Sequence, residues 1–371
     1  MGGSEIYARS LLPALREADP GLELVVYAGP EAIDSFRAEP WARDAKLVAA
    51  PVKSRAKPLR AGVEVTWLPF RARRDGVELI HSLGTTAPVV SPVPSVVTVL
   101  DLIYHHYPET FPRASRLGLR LLVPAGARRA ERVIAISEAG KQDLVETLGV
   151  DPGKIDVVYL GAGQDRRAQP TDERSLRARL GLGERKLVLT VSAALRHKNL
   201  DRLVEAFATI APRHDAALVI VGHAGLERDA LLARAGAAGV ADRVRFTGWI
   251  DESDLEGLYE AALVFAYPSL IEGFGMPVLE AMRRGLPVAC SNVSALPEVA
   301  GDAAELFDPY DPAAIAAAID RLLVDGARRD ELIAKGRGRV PEFTWERAAL
   351  GTLESYRRAL GAPSRKRTAR Q

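Results

Sequence analysis

The sequence has a single cysteine, Cys290, and no apolar run that approaches the length of a membrane span. One cysteine excludes an internal disulfide and is typical of a reducing compartment. The formal net charge is only +2, so the composition gives no reason to expect nucleic acid as a partner. The six histidines and one cysteine show no zinc-binding spacing. We therefore expect a cytoplasmic globular protein.

Strand and helix patterns alternate along both halves of the chain, whose 371 residues suffice for two domains. The predicted strands are 22–27, 46–50, 79–82, 95–100, 132–136, 155–160, 186–191, 217–222, 244–248, 263–267, 287–290 and 305–307. Two successive series of this kind predict an α/β protein with two Rossmann-like domains, whose parallel sheets face a central cleft.

The predicted boundaries follow from changes in composition. A polar, helix-poor stretch at 161–175 is the best linker candidate, and 53–60 is predicted to be a basic loop. The predicted segments are a first domain at 1–162, a second domain at 163–341, a helix at 342–361 and a basic tail at 362–371. The chain opens with a glycine loop that enters a helix directly. In this fold class a strand normally precedes such a loop, so we expect a first strand to be missing through truncation.

The most informative stretch is 267–282, which has the pattern of a strand end, a glycine loop and a helix start. Pro277 suits the first turn of a helix, where its missing N–H is tolerated. The start of a helix is an anion site. Glu272 and Glu280 flank it, and carboxylates suit sugar hydroxyls better than phosphates. This spacing alone is weak evidence, because one glutamate at a helix start and one solvated glutamate would produce it.

The full string Glu-Gly-Phe-Gly-Met-Pro-Val-Leu-Glu-Ala-Met resembles the signature of retaining glycosyltransferases of family 4, which have the GT-B fold. In that fold the last helix returns to the first domain, so the resemblance implies that the helix at 342–361 does so. The resemblance implies that Glu280 accepts hydrogen bonds from the ribose and that Glu272 holds a hydroxyl of the donor sugar. The residues expected to approach the sugar and diphosphate through the loop and helix start are Gly273, Phe274, Gly275, Met276, Pro277, Val278 and Leu279.

The segment 192–200 resembles the part of these enzymes that holds the donor diphosphate. The resemblance assigns Lys198 and Arg196 to that role. A leaving diphosphate needs cations as its bridging oxygen gains charge. Many family members carry an arginine nearer Ala193, and it is absent here. The structural alternative is a solvated charged turn before the helix that starts at Asn199.

Five further residues are donor-site candidates. Gly222 follows a predicted strand and is expected to line the cleft. Trp249 and Ile250 follow the next strand, where the base packs in the resembled family, although a tryptophan there is more often a packing residue. Gly3, together with its neighbour Gly2, is expected to approach the diphosphate from the first domain, unless the pair simply marks a helix start.

The acceptor side departs from the family pattern. Relatives usually carry a histidine directly before Asp101, where this chain has Leu100. We assign Asp101 first and His105 second to the reacting centre, against the alternative of a turn cap and surface histidines. His81, at another strand end, is equally compatible with acceptor binding and with a structural role.

The helical stretch 113–132 is basic, with leucines between its arginines. Such a helix can lie on an anionic membrane, although a solvated helical face explains the same pattern. The membrane interpretation matters if the acceptor is lipid-linked. It would add a peripheral contact with the inner face of the cell membrane.

The segments Asp-Leu-Ile-Tyr-His-His-Tyr-Pro-Glu-Thr-Phe-Pro and Val-Ile-Ala-Ile-Ser-Glu resemble the mannosyltransferase and rhamnosyltransferase branch, which suggests a role in cell envelope polysaccharide biosynthesis. The resemblance implies a retaining hexosyltransferase that needs no metal. In such an enzyme the acceptor attacks the donor sugar on the face from which the diphosphate leaves. GDP-mannose is the first candidate donor and a UDP-hexose the second. The acceptor is expected to be a glycan, a lipid-linked molecule or a small molecule.

Two alternatives remain open, and a third lacks its sequence motif. A sugar-nucleotide epimerase of the same architecture would consume donor without an acceptor. A nicotinamide-dependent dehydrogenase would need a Gly-x-Gly-x-x-Gly motif, which neither half contains. A catalytically impaired nucleotide-sugar-binding module would explain Leu100, and it would bind donor without consuming it.

Overall fold

The computed structural model describes residues 3–52, 57–163, 168–225 and 227–361. It divides into two compact units. Unit 1 comprises residues 1–161 and 343–371, and unit 2 comprises residues 162–342. The sequence predictions for Gly2, for residues 53–56 and for the basic tail from residue 362 lie outside the described residues.

The strands are short, and most of them are rich in buried aliphatic residues. Their bounds are β1 Val25–Ala28, β2 Lys46–Ala49, β3 Ile80–Ser82, β4 Ser95–Val99, β5 Arg132–Ala135, β6 Ile155–Val157, β7 Lys186–Val191, β8 Ala216–Val221, β9 Val244–Gly248, β10 Val264–Tyr267, β11 Val288–Ser291 and β12 Ala304–Phe307. All residues of β4, β8, β10 and β11 are buried, as expected for strands covered by helices on both faces.

The helices alternate with these strands. Their bounds are α1 Gly3–Ala18, α2 Pro30–Phe36, α3 Lys57–Thr66, α4 Leu68–Arg74, α5 Ile103–His106, α6 Arg113–Arg129, α7 Glu138–Leu148, α8 Glu173–Leu180, α9 Leu200–His214, α10 Arg228–Ala237, α11 Glu252–Ala261, α12 Met276–Arg283, α13 Leu296–Ala300, α14 Pro312–Val324, α15 Gly326–Arg339 and α16 Trp345–Ala359. Short 3₁₀ turns lie at Pro40–Asp44, Pro108–Thr110, Pro152–Lys154, Arg196–Lys198 and Val340–Glu342. Over the described residues, no helix combines the length and apolar character needed to cross a membrane.

Unit 2 is built on one six-stranded parallel sheet in the order β12-β11-β10-β7-β8-β9. From β7 the chain first builds outward through β8 and β9, and then crosses to the other side of β7 to add β10, β11 and β12. The order therefore reverses between β7 and β10. In open α/β sheets the loops that leave the strand ends at such a switch point diverge and form a binding crevice.

Unit 1 contains a four-stranded parallel sheet, β3-β4-β5-β6, and a separate parallel pair, β1-β2. The last helix, α16, packs on α1, β4 and β5. A carboxylate fixes its C-terminal half, because Asp156 of β6 accepts hydrogen bonds from Ser355 and Arg358 at 2.8 and 2.6 Å. The same carboxylate also accepts from Arg132 of β5 at 2.9 Å.

Two predicted loops are partly helical. Helix α3 begins at Lys57, inside the stretch predicted as a basic loop, because Pro58 occupies the first turn, where proline is compatible with a helix. Helix α8 begins at Glu173, inside the predicted linker 161–175. The carboxylate of Asp172 caps it by accepting from the Ser175 N–H at 3.0 Å.

Candidate active site

The clearest site in unit 2 lies at the switch point of its sheet. Lys198, in the turn after β7, donates to the carboxylate of Glu272, in the loop after β10, with 2.6 Å between Nζ and Oε1. Its Nζ also lies 3.2 Å from the hydroxyl of Tyr267, the last residue of β10. The side chains of Lys198 and Glu272 are only 15% and 10% exposed. The two loops that diverge at the switch point therefore supply opposite charges to one buried position.

Both groups of this pair are charged. Burial alone would lower the pKa of the Lys198 ammonium, but the adjacent Glu272 carboxylate outweighs it and raises that pKa. Burial alone would raise the pKa of Glu272, and the Lys198 charge reverses this and lowers it. His197 lies next to the pair, and burial followed by the charge of Lys198 lowers its pKa to about 4. The site thus holds an ion pair beside a neutral imidazole at neutral pH.

Asn199 ties three loops of the site together. Its side-chain amide donates to the carbonyl oxygen of Pro268 at 3.0 Å and to that of Pro309 at 2.8 Å. These carbonyls follow β10 and β12, whereas Asn199 follows β7. Its backbone is left-handed, with φ of 57°, which asparagine tolerates better than most residues. The turn that carries Lys198 is therefore fixed relative to the loop that carries Glu272.

Ser294 holds the backbone of Glu272. Its hydroxyl accepts from the Glu272 N–H at 3.0 Å and donates to the Glu272 carbonyl at 2.7 Å. Ser294 itself has a left-handed φ of 59° in the loop after β11. One side chain therefore satisfies both peptide groups of Glu272 and fixes the direction in which its carboxylate leaves the loop.

Helix α12 begins next to this loop. Gly275 precedes it with φ of 110°, and a Cβ there would lie 2.7 Å from the Leu296 side chain, so glycine is required. Met276 and Pro277 form the first turn, and Phe274 is buried at 3% exposure. Phe274 therefore contributes to packing rather than to an accessible surface. The helix starts four residues after Glu272, and its first turn carries the positive end of the helix dipole.

Glu280 lies one turn into α12. Its carboxylate is 3.5 Å from the hydroxyl of Tyr259, on α11. Arg284 donates to the Glu280 carbonyl oxygen at 3.0 Å. Burial is the largest influence on the Glu280 carboxyl and raises its pKa, against the opposing charge of Arg284. Val278 and Leu279, between the two glutamates, are fully buried and anchor the helix on the sheet.

The other predicted donor-site residues lie at neighbouring strand ends. Arg196 is exposed, two residues before Lys198 in the same 3₁₀ turn. Gly222 follows β8 with φ of 147°, and a Cβ there would lie 2.3 Å from the carbonyl oxygen of Ser192. Trp249 and Ile250 follow β9, and Trp249 is 69% exposed, so it is not the packing residue that its type suggests. β9 is two strands away from β7 in the sheet.

The predicted acceptor-side residues belong to unit 1. Asp101 follows β4, and its carboxylate accepts from the Ile103 N–H at 3.1 Å, as a turn cap does. Its role at the reacting centre stays a prediction. His105 lies in α5, half-buried, with its ring against those of Tyr104 and His106. Gly3 is the first residue of α1.

His81 has a structural role. Its two ring nitrogens lie 2.7 Å from the Tyr356 hydroxyl and 2.8 Å from the Thr98 hydroxyl. The Thr98 hydroxyl is in turn 3.1 Å from that of Tyr7. Burial lowers the pKa of His81 to about 3. The imidazole is therefore neutral and links α16 to β3 and β4.

Four residues that organise the site are not among the sequence-predicted site residues: Asn199, Tyr259, Tyr267 and Ser294. Three of them follow or end strands at the C-terminal edge of the sheet, so a systematic search of strand ends for polar side chains would have found them. Tyr259 lies within a helix, and its spacing gives no such signal.

The two α/β units with parallel sheets, and the charged site at a switch point, define a protein of the GT-B class. A solved structure of sucrose-phosphate synthase from Thermosynechococcus elongatus superposes with a TM-score of 0.74 at 25% identity, covering 98% of this chain and 94% of that one. The family model for glycosyl transferases group 1 matches residues 172–339, and the model for glycosyltransferase family 4 matches residues 1–166.

Curated relatives agree with these matches. O-antigen chain mannosyltransferase B of Escherichia coli is 29% identical over 266 residues, which is 71% of this chain and 70% of that protein. D-inositol 3-phosphate glycosyltransferase of Salinispora arenicola is 32% identical over 316 residues, which is 81% of this chain and 67% of that protein. The chain belongs to the group 1 glycosyltransferases of family 4. The predicted family and GT-B fold are confirmed.

Proposed function

We propose that this protein is a retaining hexosyltransferase that moves a hexose from a sugar nucleotide to an acceptor hydroxyl. The observation that carries the proposal is the buried pair of Lys198 and Glu272 at the switch point of the unit 2 sheet. A cation and a carboxylate side by side match a donor whose diphosphate and sugar hydroxyls are adjacent. Neither a bare phosphate nor a free sugar needs both.

Donor binding is expected to replace the contact between Lys198 and Glu272 with contacts from each of them to the donor. The diphosphate takes the place of Glu272 as the anion beside Lys198, and Arg196 in the same turn adds a second cation. The start of α12 adds the positive end of its dipole. The freed Glu272 carboxylate accepts a hydrogen bond from a hydroxyl of the donor sugar, and Glu280 accepts from the ribose.

In the transfer step the bond between the anomeric carbon and the diphosphate oxygen breaks, and its electron pair leaves with the nucleoside diphosphate. The acceptor oxygen forms the new bond on the same face of the sugar. The acceptor proton passes to the departing phosphate. Lys198 and Arg196 stabilise the charge that develops on the leaving group. The residues of this chain supply the charges that the step needs, and we propose that no metal takes part.

GDP-mannose is the first candidate donor, since the O-antigen relative is named a mannosyltransferase. A UDP-hexose is the second candidate. We propose a glycan, a lipid-linked molecule or a small molecule as the acceptor. The other relative, named for D-inositol 3-phosphate, illustrates the last class.

We further propose a cytoplasmic enzyme with a peripheral contact to an anionic membrane through one face of α6. Leu117 and Leu121 are 64% and 63% exposed on that helix. Arg113 and Arg120 lie on the same face, at helical spacing from the leucines, and both are exposed. Exposed leucines between arginines match the acyl and headgroup layers of such a membrane.

A panel of nucleotide sugars tests the donor assignment. The true donor should raise the unfolding temperature of the full chain by mass action, whereas sugars without a nucleotide should not. Proton nuclear magnetic resonance of the transfer product should show the anomeric configuration of the donor. An inverted product would refute the retaining mechanism. Conversion of the donor to its epimer without acceptor would establish the epimerase instead.

A further inference from the structure

Three aromatic rings form a buried column between the two carboxylates of the site. Phe265 and Tyr267 are two residues apart on β10, so their side chains lie on the same face, with ring centroids 5.9 Å apart and planes 18° apart. Phe265 also stacks on Tyr259 of α11, at 5.9 Å and 24°. All three side chains are at most 2% exposed. The column is therefore part of the core, and its position is fixed by both the strand and the helix.

One end of the column contacts the ion pair. The Tyr267 hydroxyl lies 3.2 Å from Nζ of Lys198, and that nitrogen is 5.5 Å from the centroid of the Tyr267 ring. The hydroxyl and the ring face therefore both favour the ammonium at this position. The pKa of Tyr267 is raised, first by burial and then by the charge of Glu272, so the phenol remains protonated.

The other end contacts Glu280. The Tyr259 hydroxyl is 3.5 Å from its carboxylate. The guanidinium of Arg284 lies 4.3 Å from the centroid of the Tyr259 ring and also pairs with Glu256, with 2.9 Å between Nε and Oε2. The ring of Tyr259 is thus held by its stacking on Phe265 and by its contact with Arg284, whose position is fixed by Glu256.

The geometry points to Tyr259 and Tyr267 as positioning residues of the donor site, with Tyr259 orienting Glu280 and Tyr267 orienting Lys198 and Glu272. Phe265 fixes the separation of the two tyrosines. This inference rests on the proposed function, because it assumes that Glu280 faces the ribose and that Lys198 faces the diphosphate. Neither tyrosine needs to touch the donor.

The two ends of the column should affect different parts of the ligand. Tyr259→Phe removes a hydrogen bond at the ribose end, so it should weaken every nucleotide that contains the ribose. Tyr267→Phe removes one at the diphosphate end, so it should weaken only ligands that reach Lys198. The bond to a charged group at 3.2 Å should be worth about tenfold in affinity, and the longer one to Glu280 about threefold.

Isothermal titration of the full chain with GMP, GDP and GDP-mannose tests this assignment, with the uridine series used if the wild type prefers it. Tyr259→Phe should weaken all three ligands by the same factor. Tyr267→Phe should leave GMP within about twofold and weaken GDP and GDP-mannose about tenfold. The matched control is Tyr159→Phe in unit 1, which should change none of the three.

A second readout separates positioning from general destabilisation. The groups that face the Glu280 carboxyl are Tyr259, Glu256, Arg283 and Arg284, and the Tyr259 hydroxyl favours its charged form. GMP binding should therefore be lost at a higher pH in Tyr259→Phe than in the wild type. In Tyr267→Phe it should be lost at the same pH as in the wild type. Phe265→Leu, which leaves both hydroxyls in place, should weaken GMP and GDP alike.

Several results would overturn the inference. Equal losses on all three ligands for both tyrosine variants would show that the column is only structural, as would unchanged affinities for both. If a tyrosine variant is too unstable to titrate, Phe265→Leu provides the test. If this variant binds GMP and GDP with wild-type affinity, the proposed role of the column in positioning the two ends of the site is refuted. A wild-type chain that binds no nucleotide at all would instead refute the proposed function.

Discussion

Lys198 and Glu272 are 74 residues apart in the sequence, yet their charged atoms lie 2.6 Å apart in the core of unit 2. The pair exists because β7 and β10 are neighbours at the point where the strand order reverses. Each residue lies just beyond the C-terminal end of its strand. The sheet topology therefore creates the charge pair, and the pair is what a sugar-nucleotide donor would exchange for its own groups.

Breaking this pair on one side should destabilise unit 2. Lys198→Met leaves a buried carboxylate and Glu272→Gln leaves a buried ammonium, and each should lower the free energy of unfolding by about 3 kcal/mol. The double variant should recover most of that loss while remaining inactive. Urea denaturation measures all three. Additive losses in the double variant would show that the two charges do not depend on each other.

A surface pair provides the control for that experiment. The charged atoms of Arg37 and Asp34 are 2.8 Å apart, but these side chains are 65% and 69% exposed. Asp34→Asn should change the free energy of unfolding by less than about 1 kcal/mol. A loss as large as that of Glu272→Gln would mean that burial does not explain the difference.

Ser294 should matter for turnover through the Glu272 backbone. Ser294→Gly suits the left-handed backbone at this position and removes only the hydroxyl that bonds both peptide groups of Glu272. We expect about a tenfold loss of donor turnover, since the carboxylate loses its fixed direction. Ser294→Ala should lose at least as much, because it adds backbone strain. Wild-type turnover in the glycine variant would show that Glu272 is held by other contacts.

Nucleotide affinity should fall on acidification as Glu280 becomes protonated. A neutral carboxyl is a weaker acceptor for ribose hydroxyls than a carboxylate. Because burial raises the pKa of Glu280 above its ordinary value of 4.5, the loss should begin at a higher pH than for an exposed glutamate. Calorimetry with GMP between pH 4 and 8 measures it. In Glu280→Gln the affinity should be low and independent of this titration, and an unchanged dissociation constant would argue against the ribose role.

His81 should make unit 1 sensitive to acid. In the unfolded chain His81 takes up a proton near pH 6.5, whereas in the folded chain His81 is protonated only at about pH 3. The unfolded state therefore binds more protons between these values, and stability should fall as the pH falls through this window, by up to about 5 kcal/mol. Above pH 6.5 His81 should contribute no pH dependence.

Denaturation from pH 4 to 8 in the wild type and in His81→Gln measures this contribution. The variant should lose part of the acid sensitivity. His197 in unit 2 has a pKa lowered to about 4 and acts in the same direction, so His197→Gln serves as the comparison. Identical pH profiles for the wild type and His81→Gln would contradict the burial argument.

The α6 contact predicts binding to anionic vesicles. Leu117→Glu together with Leu121→Glu should abolish co-sedimentation with phosphatidylglycerol vesicles, since both leucines are exposed on one helical face. Neutral phosphatidylcholine vesicles should bind neither protein. Val324→Glu, at an equally exposed apolar residue of unit 2, is the control. Unchanged sedimentation of the double variant would place any membrane contact elsewhere.

The sequence made the fold of unit 2 predictable because its strands are continuous apolar runs and its glycine loop precedes a clear helix. It could also show that Lys198 and Glu272 each follow a strand. It could not show that they form an ion pair, because that depends on which strands are neighbours in the sheet. The start of helix α3 was not predictable, because Pro58 is a common loop signal, although proline is compatible with a first helical turn.

The contacts of the residues that hold the site also depend on which strands and loops are neighbours in the fold. Ser294 and Asn199 follow strands, so a search of strand ends would find them as polar candidates. The backbone groups that they bond lie in loops distant in sequence, so these contacts themselves could not be predicted. Tyr259 lies in the apolar stripe of α11, where an aromatic residue is normally a core residue. In unit 1, Asp101 also follows a strand and accepts a hydrogen bond from the Ile103 N–H, and its role at the reacting centre stays a prediction.

The most direct test of the central claim is calorimetric titration of GDP-mannose and a UDP-hexose into the wild type and Lys198→Met. One donor should bind the wild type with a stoichiometry of one, and the variant should lose at least about tenfold in affinity, as expected for removing a charged contact to the diphosphate. Equal affinity for the wild type and the variant, or no binding of either donor to the wild type, would contradict a donor site at the switch point.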